Sequence, residues 1–194
     1  MMYPRLFNPL KIRHVELPNR MIMAPMHMGY TPEGLVTDQF LEFYRERAKG
    51  KPGMIIVGGA NYHPTGKFYP GMISIEDDDT IPGLKKLTDA IRAEGVVSAI
   101  QLLHGGRYCH SSNFGGQQSV SASAMPSLIT REMPRELSTA EVEEIVESHG
   151  QAARRALEAG FDVVEVLAGT GYLISQFLSP ITNLRTDKYG GDLF

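Results

Sequence analysis

The groups in this 194-residue chain that can do chemistry fall into four short clusters. They are Ala24-Pro25-Met26-His27, Gly58-Gly59-Ala60, the run Gln101-Leu102-Leu103-His104-Gly105-Gly106-Arg107, and Leu167-Ala168-Gly169-Thr170-Gly171-Tyr172. The glycine pair offers bare backbone for close approach by a planar ligand, and the first cluster sets backbone groups beside a rigid proline. Gln101 puts an amide, donor and acceptor at once, into an apolar stretch. It serves the edge of a ring with a mixed hydrogen-bond pattern, as in a flavin pyrimidine, or it is satisfied within the core. Tyr172 carries a phenol whose ordinary pKa of about 10 keeps it protonated, and so able to donate, at neutral pH. The hydroxyl of Thr170 either donates one hydrogen bond to a substrate or closes a turn. Gly169-Thr170-Gly171 is not a phosphate cradle, because no lysine follows as a P-loop requires. Among the other polar groups, Glu165 calls for a basic partner such as Arg20, since an unpaired buried carboxylate is costly. Arg107 reads as a brace for the loop that follows it, and Arg185 with Asp187 as the fixing of the loop before Gly190-Gly191.

Elements that position these clusters can be read from periodicity and caps. Residues 11–17 form a small hairpin, ending at Leu17-Pro18-Asn19, that covers one end of the fold. A short strand at 20–24 is stopped by Pro25, and an amphipathic helix spans 38–49 with Thr37 as N-cap. The apolar run 54–57 is a strand buried on both faces, ending at Gly58-Gly59. A helix over about 82–94 closes at Gly95, and 96–103 is the third strand. Ser138-Thr139-Ala140-Glu141 is a capping box for a helix reaching Ala159, with Gly160 as its C-cap. Residues 161–167 form the fourth strand and 172–178 open a fourth helix. Strand and helix thus alternate four times with no hairpin between the principal strands, which implies βαβ crossovers and a parallel sheet. No G-x-G-x-x-G follows the first strand, which tilts the choice from a doubly wound sheet towards a barrel. In either, functional groups gather where the strands end, and the four clusters lie there. The 34 residues 104–137 greatly exceed the usual βα connection of about two to six and are expected to fold over the site as a lid or wall.

Composition bounds the function. At 42% hydrophobic and 21% charged, the chain has the balance of a soluble globular domain. It has no apolar run long enough for a membrane span and no amino-terminal signal pattern, so a cytoplasmic location is expected. A net charge of −3 argues against a nucleic-acid partner. The single cysteine, Cys109, forms no internal disulfide and no four-cysteine metal site; it reads as a reduced thiol. No metal site is expected.

The stretches L-F-N-P-L and L-P-N-R-M-I-M-A-P-M within residues 6–26, Q-L-L-H-G-G-R-Y at 101–108, A-R-R-A-L-E-A-G-F-D at 153–162 and G-Y-L-I-S-Q-F-L-S-P-I-T-N-L-R-T-D-K-Y-G-G at 171–191 together resemble the Old Yellow Enzyme family of flavin-dependent ene-reductases. The resemblance runs end to end, and it is the joint order and spacing that make it specific. It implies a TIM-type (β/α)₈ barrel, here about four βα units with an N-terminal hairpin, with FMN across the barrel mouth and NADH or NADPH as reductant. It implies FMN contacts from Pro25, Met26, Gly59, Ala60 and Gln101, with His27 beside the ring. It makes Tyr172 the proton donor to the substrate α-carbon. Many relatives carry H-x-x-H or H-x-x-N where this chain has Leu167 and Thr170, so one substrate-polarising donor is lost and Thr170 retains at most one bond. That departure, with Gln101 to Tyr108 and Met26-His27-Met28-Gly29, resembles the 2,4-dienoyl-CoA reductase branch, which implies an enoyl or dienoyl thioester or a related acid. Bile-acid and 2-enoate reductases and trimethylamine-type dehydrogenases share much of this half.

Four βα units make half a barrel, so residues 1–194 are expected to be the N-terminal half of an FMN-binding barrel and part of a longer protein. The FMN phosphate anchor is then expected elsewhere, because barrel phosphate sites commonly follow strands seven and eight. In the dienoyl-CoA branch a 4Fe-4S segment and an FAD-type nucleotide domain follow the barrel. The exposed edges of a half barrel invite pairing with a second copy, and a non-catalytic assembly module is the alternative reading.

Overall fold

A computed structural model describes residues 3–191. Its elements in chain order are α1 (Pro4–Phe7), β1 (Leu10–Ile12), β2 (Val15–Leu17), β3 (Ile22–Met23), α2 (Asp38–Ala48), β4 (Met54–Asn61), α3 (Ile81–Arg92), β5 (Val97–Leu103), β6 (Val120–Ser121), β7 (Arg135–Glu136), α4 (Thr139–Glu158), β8 (Val163–Val166) and α5 (Leu173–Leu178). Four short 3₁₀ turns lie between them.

The principal sheet has the order β3-β4-β5-β8, with every neighbouring pair parallel. Strands lie side by side in the order in which the chain makes them. Crossovers of one hand then place every connecting helix on the same face, and α2 packs on α3 and α3 on α4 in turn. A doubly wound sheet reverses its order part-way. This one does not, so its geometry is that of a barrel wall, four strands wide.

Burial explains the two faces. β4 is buried along its whole length, as a strand covered on both sides must be. Towards the helices, Ile55, Val57, Ile100 and Leu102 meet Phe40, Tyr44 and Ala48 of α2 and Leu84, Leu87 and Ile91 of α3 in one apolar cluster. The buried residues of each helix recur at helical spacing, and each fully buried leucine or isoleucine stabilises the fold by about 1.5–3 kcal/mol. On the barrel's inner side Leu17 packs with Met54, Ile56 and Ala99, flanked by Leu10, Val15, Val97 and Val163. The β1–β2 hairpin therefore plugs the end where the strands begin, opposite to the end where the four clusters lie.

The N-caps are as expected from sequence, whereas α4 is C-capped by Ala159, with Gly160 one residue beyond at φ +88°. The Thr37 hydroxyl accepts from the Phe40 amide, and Ser138 with Glu141 completes a reciprocal capping box. Boundaries differ at the strands. The first contracts to Ile22–Met23, the fourth to Val163–Val166, and β4 runs through Gly58-Gly59 as far as Asn61. The reason is pairing: Gly58 lies opposite Gln101 and Ala60 opposite Leu102, so Gly59 is an extra residue, a bulge, in a ladder that continues past it.

A cavity of about 750 Å³ lies between α4 and α5 beside β8, lined by Val142, Ile145, Val166, Leu173 and Phe177 among others. None of the expected site residues lines it. β8 pairs only with β5 among the described strands. This apolar groove is where the wall is open.

Candidate functional site

All four strand ends converge. His27, after β3, has its ring centroid 5.7 Å from Phe68 and 6.3 Å from Tyr69, which follow β4. Phe68 lies edge-on to Tyr172 at 5.3 Å, and Tyr172 meets Tyr108, after β5, at 5.8 Å. Phe68 thus bridges His27 and Tyr172, which are far apart in sequence. Phe68, Tyr69 and Tyr108 were not singled out from the sequence; Tyr108 directly follows the third cluster, whereas Phe68 and Tyr69 stand eight and nine residues beyond Ala60, where position gives no signal.

Tyr172 occupies the N-cap position of α5 and is half-buried. Burial, and after it the neighbouring Tyr108 and Cys109, push its phenol above the ordinary value, so the group holds its proton at neutral pH. Its backbone is clamped by Gln176, which is 1% exposed: the Gln176 amide nitrogen donates to the Gly171 carbonyl at 2.7 Å, while its oxygen accepts from the Arg107 N–H at 3.3 Å and the Ser121 hydroxyl at 3.0 Å. One side chain therefore ties the β5 end, the long loop and the start of α5. Gly171, at φ +86°, lies against the Tyr108 phenol and has no room for a side chain.

Thr170 sits in the left-handed region at φ +57°, exposed, and its hydroxyl makes no hydrogen bond among the described residues. It lies within the turn closed by the Tyr172 N–H on the Gly169 carbonyl at 3.3 Å. Partial desolvation lowers the His27 imidazole below its usual value, although part of the residue remains open to solvent.

The floor is built from backbone. A Cβ on Gly59 would lie 2.7 Å from the Leu103 Cβ and 3.0 Å from Gln101 Oε1, so only glycine fits beside this amide. The bulge interrupts the β4–β5 ladder next to a donor-acceptor side chain. Ala60 is fully buried with its methyl in the helix-side core, which leaves only its backbone for a ligand. Pro25 is half-buried and Met26 exposed at the end of β3. A bare bulge, a fixed amide and an accessible methionine suit the edge and face of a planar heterocycle such as the FMN ring.

Glu165 does not pair with Arg20. It accepts a hydrogen bond from Gln101 Nε2 at 2.6 Å, while Arg20 is exposed and has no ion pair among the described residues. The two residues are register partners on adjacent parallel strands, so their side chains leave the sheet on the same face. Arg107 meets the long loop through its backbone, whose carbonyl accepts from Thr130 at 3.5 Å. His104 is buried and held neutral, with burial and then His63 lowering it to about 3; its Nδ1 accepts from the Gly106 N–H at 3.1 Å. Cys109 is a free, buried thiol that burial keeps protonated. Among the described residues no group of three or more His, Cys, Asp or Glu side chains could hold a metal ion.

The long loop is anchored, as expected of a wall. Ser111 donates from backbone and hydroxyl to Glu132, and β6 pairs with β7. Arg185 reads as it did in the sequence, with Nε on Asp187 at 2.9 Å and a second nitrogen on the carbonyls of Ala122, at 3.1 Å, and Leu137.

A sequence-family model described as the NADH:flavin oxidoreductase / NADH oxidase family matches residues 5–193. The chain belongs to that family. It is 54% identical over 188 residues to a metal reductase of Desulforamulus reducens, covering 97% of this chain and 28% of that protein. It is 42% identical over 193 residues to an NADH:fumarate oxidoreductase of Klebsiella pneumoniae, covering 96% and 20%. A solved complex of 2-naphthoyl-CoA reductase with 2-naphthoyl-CoA superposes with a TM-score of 0.94 at 41% identity, over 99% of this chain and 31% of that one. The chain thus spans less than a third of each of these relatives. The family and the sequential parallel sheet bear out the flavin-barrel resemblance and the half-barrel architecture. No helix among the described residues is long and apolar enough to cross a membrane.

Proposed function

We propose that this chain is the ring-binding half of an FMN site at which NADH or NADPH drives reduction of an activated C=C bond, in an enoyl thioester or a related unsaturated acid. The reading rests above all on the convergence of Tyr172 and His27 around Phe68. Pro25, Met26, the backbone of Gly59 and Ala60, and Gln101 would hold the ring. Bound FMN would supply hydride chemistry, from nicotinamide to the substrate β-carbon. Tyr172 holds a proton above the neutral range and delivers it to the α-carbon, while Phe68 and Tyr108 exclude water around it. Thr170 can offer one bond to the carbonyl oxygen and Leu167 none, which favours substrates whose carbonyl is already activated, as in a thioester. Relatives named for fumarate and for 2-naphthoyl-CoA agree with an unsaturated acid or acyl thioester.

The relative named as a metal reductase supports a second reading, electron delivery from the same flavin to a metal ion. Tyr172→Phe separates the two, because metal reduction needs no proton on carbon. In the natural protein at its full encoded length, NADH-dependent reduction of an enoyl thioester should fall by about 10²–10⁴-fold in Tyr172→Phe while flavin bleaching by NADH persists. Undiminished thioester reduction in that variant sinks the proton-donor role. Absence of flavin from the protein sinks the whole reading.

A further inference from the structure

We infer that Glu165 is a positioning residue for the flavin ring: it fixes which way round the Gln101 amide stands, and so which atom Gln101 presents to the pyrimidine edge. The inference rests on the proposed FMN site and deepens it.

Gln101 is 7% exposed on β5, and Glu165 stands opposite it on β8 in the same register. Gln101 Nε2 lies 2.6 Å from Glu165 Oε1, and this is the only side-chain hydrogen bond of Glu165 among the described residues. An ionised carboxylate accepts and never donates, so the nitrogen end of the amide must face it. The oxygen end is thereby sent the other way, to the Gly59 bulge, where a glycine Cβ would meet Oε1 at 3.0 Å. The flavin pyrimidine carries one ring N–H between two carbonyls. An amide held in this sense would offer Oε1 to that N–H and keep its second Nε2 hydrogen for the adjoining carbonyl. The reversed amide would set N–H against N–H. The pair is therefore a gauge as well as a contact: the carboxylate removes the wrong orientation before any ligand arrives, a preorganisation that costs nothing on binding.

The isosteric change Glu165→Gln tests this, because a glutamine at 165 both donates and accepts and so admits either orientation of Gln101. The natural full-length protein is stripped of flavin, and FMN affinity is read by quenching of flavin fluorescence. Glu165→Gln should weaken FMN about tenfold, the scale of one hydrogen bond misplaced. Glu165→Asp, which still only accepts, should recover most of that loss. In a Gln101→Leu background Glu165→Gln should add less than about twofold, since the residue it acts through is gone. FMN methylated at the ring N–H should bind the wild type about tenfold more weakly than FMN, and Glu165→Gln should erase most of this discrimination. Thermal unfolding of each variant separates loss of fold from loss of the gauge. Equal FMN affinity in wild type and Glu165→Gln overturns the inference and leaves the proposed function standing, as does a full tenfold loss that persists without Gln101. A wild-type protein that binds no flavin overturns both.

Discussion

In the proposed function the end of β4–β5 and the end of β8 have different jobs, and they are built from different materials. At β4–β5 the working parts are backbone and one amide, all buried, with no space for an added atom at Gly59. At β8 the working parts are side chains on a turn: Thr170 exposed in a left-handed conformation, and Tyr172 half-buried among aromatic rings. A surface meant to hold one rigid ring gains from having nothing that can move. A surface meant to accept a substrate and hand over a proton needs a group with its own ionisation, screened but not sealed.

That contrast is open to breakage. The largest effect should come from Tyr172→Phe, with the loss of about 10²–10⁴-fold in C=C reduction stated above and little change in FMN affinity. Because the phenol is raised, the wild-type rate should hold past pH 10 and decline only above it, as the donor loses its proton; an alkaline limb well below pH 10 would contradict this. Next, Gly59→Val should weaken FMN by more than about a hundredfold and leave the intrinsic chemistry of any flavin that binds unaltered. Two hydrogen bonds' worth of displacement sets that scale. If Tyr172→Phe instead empties the flavin site, or Gly59→Val spares it, the division of labour is wrong.

Smaller effects sharpen the comparison by testing the scaffold behind each end. Ser138→Ala removes the α4 cap and should cost about 1 kcal/mol in chemical denaturation. Glu141, drawn down to about 2 by Arg135 first and the Ser138 backbone second, contributes stability that is complete above its unfolded pKa and is lost as pH falls through about 2. Unfolding curves between pH 5 and 2 should show that loss, diminished in Arg135→Gln. Smallest of all, Thr170→Gly should raise stability by up to about 1 kcal/mol, since glycine occupies the left-handed region without strain. Unchanged turnover would assign Thr170 to the turn; a fall of tenfold or more in kcat would assign its hydroxyl to the substrate.

Local features were legible in the sequence because their partners are neighbours. Thr37 and the Ser138–Glu141 box each bond within three residues, and the apolar periodicities of α2 and α3 need only their own helices. The order of the motifs was enough to indicate the barrel. What escaped depends on register. The Gly59 bulge exists because Gly58 and Ala60 face consecutive residues of β5, and nothing in Gly-Gly states that. Glu165 was paired with the wrong partner because charge alone favoured Arg20, whereas the strand alignment puts Gln101 beside it. Phe68 and Tyr108 looked like ordinary loop residues until two loops met at Tyr172.

Arg185 carries one further consequence. Its guanidinium holds the carbonyls of Ala122 and Leu137, inside and at the end of the long loop, while its partner Asp187 accepts from Thr139 at the start of α4. One buried cation joins these segments, together with the β6–β7 pairing and the Leu184 N–H on the Ser123 hydroxyl at 2.9 Å, so they gain or lose protection from solvent exchange as one unit. In amide hydrogen exchange the segments around 122, 137–139 and 185–187 should open with a common free energy, even though 63 residues separate Ala122 from Arg185. The exposed tip at Leu128 and Ile129 should exchange much sooner. The long loop is bolted at its middle and its foot and free only at its tip.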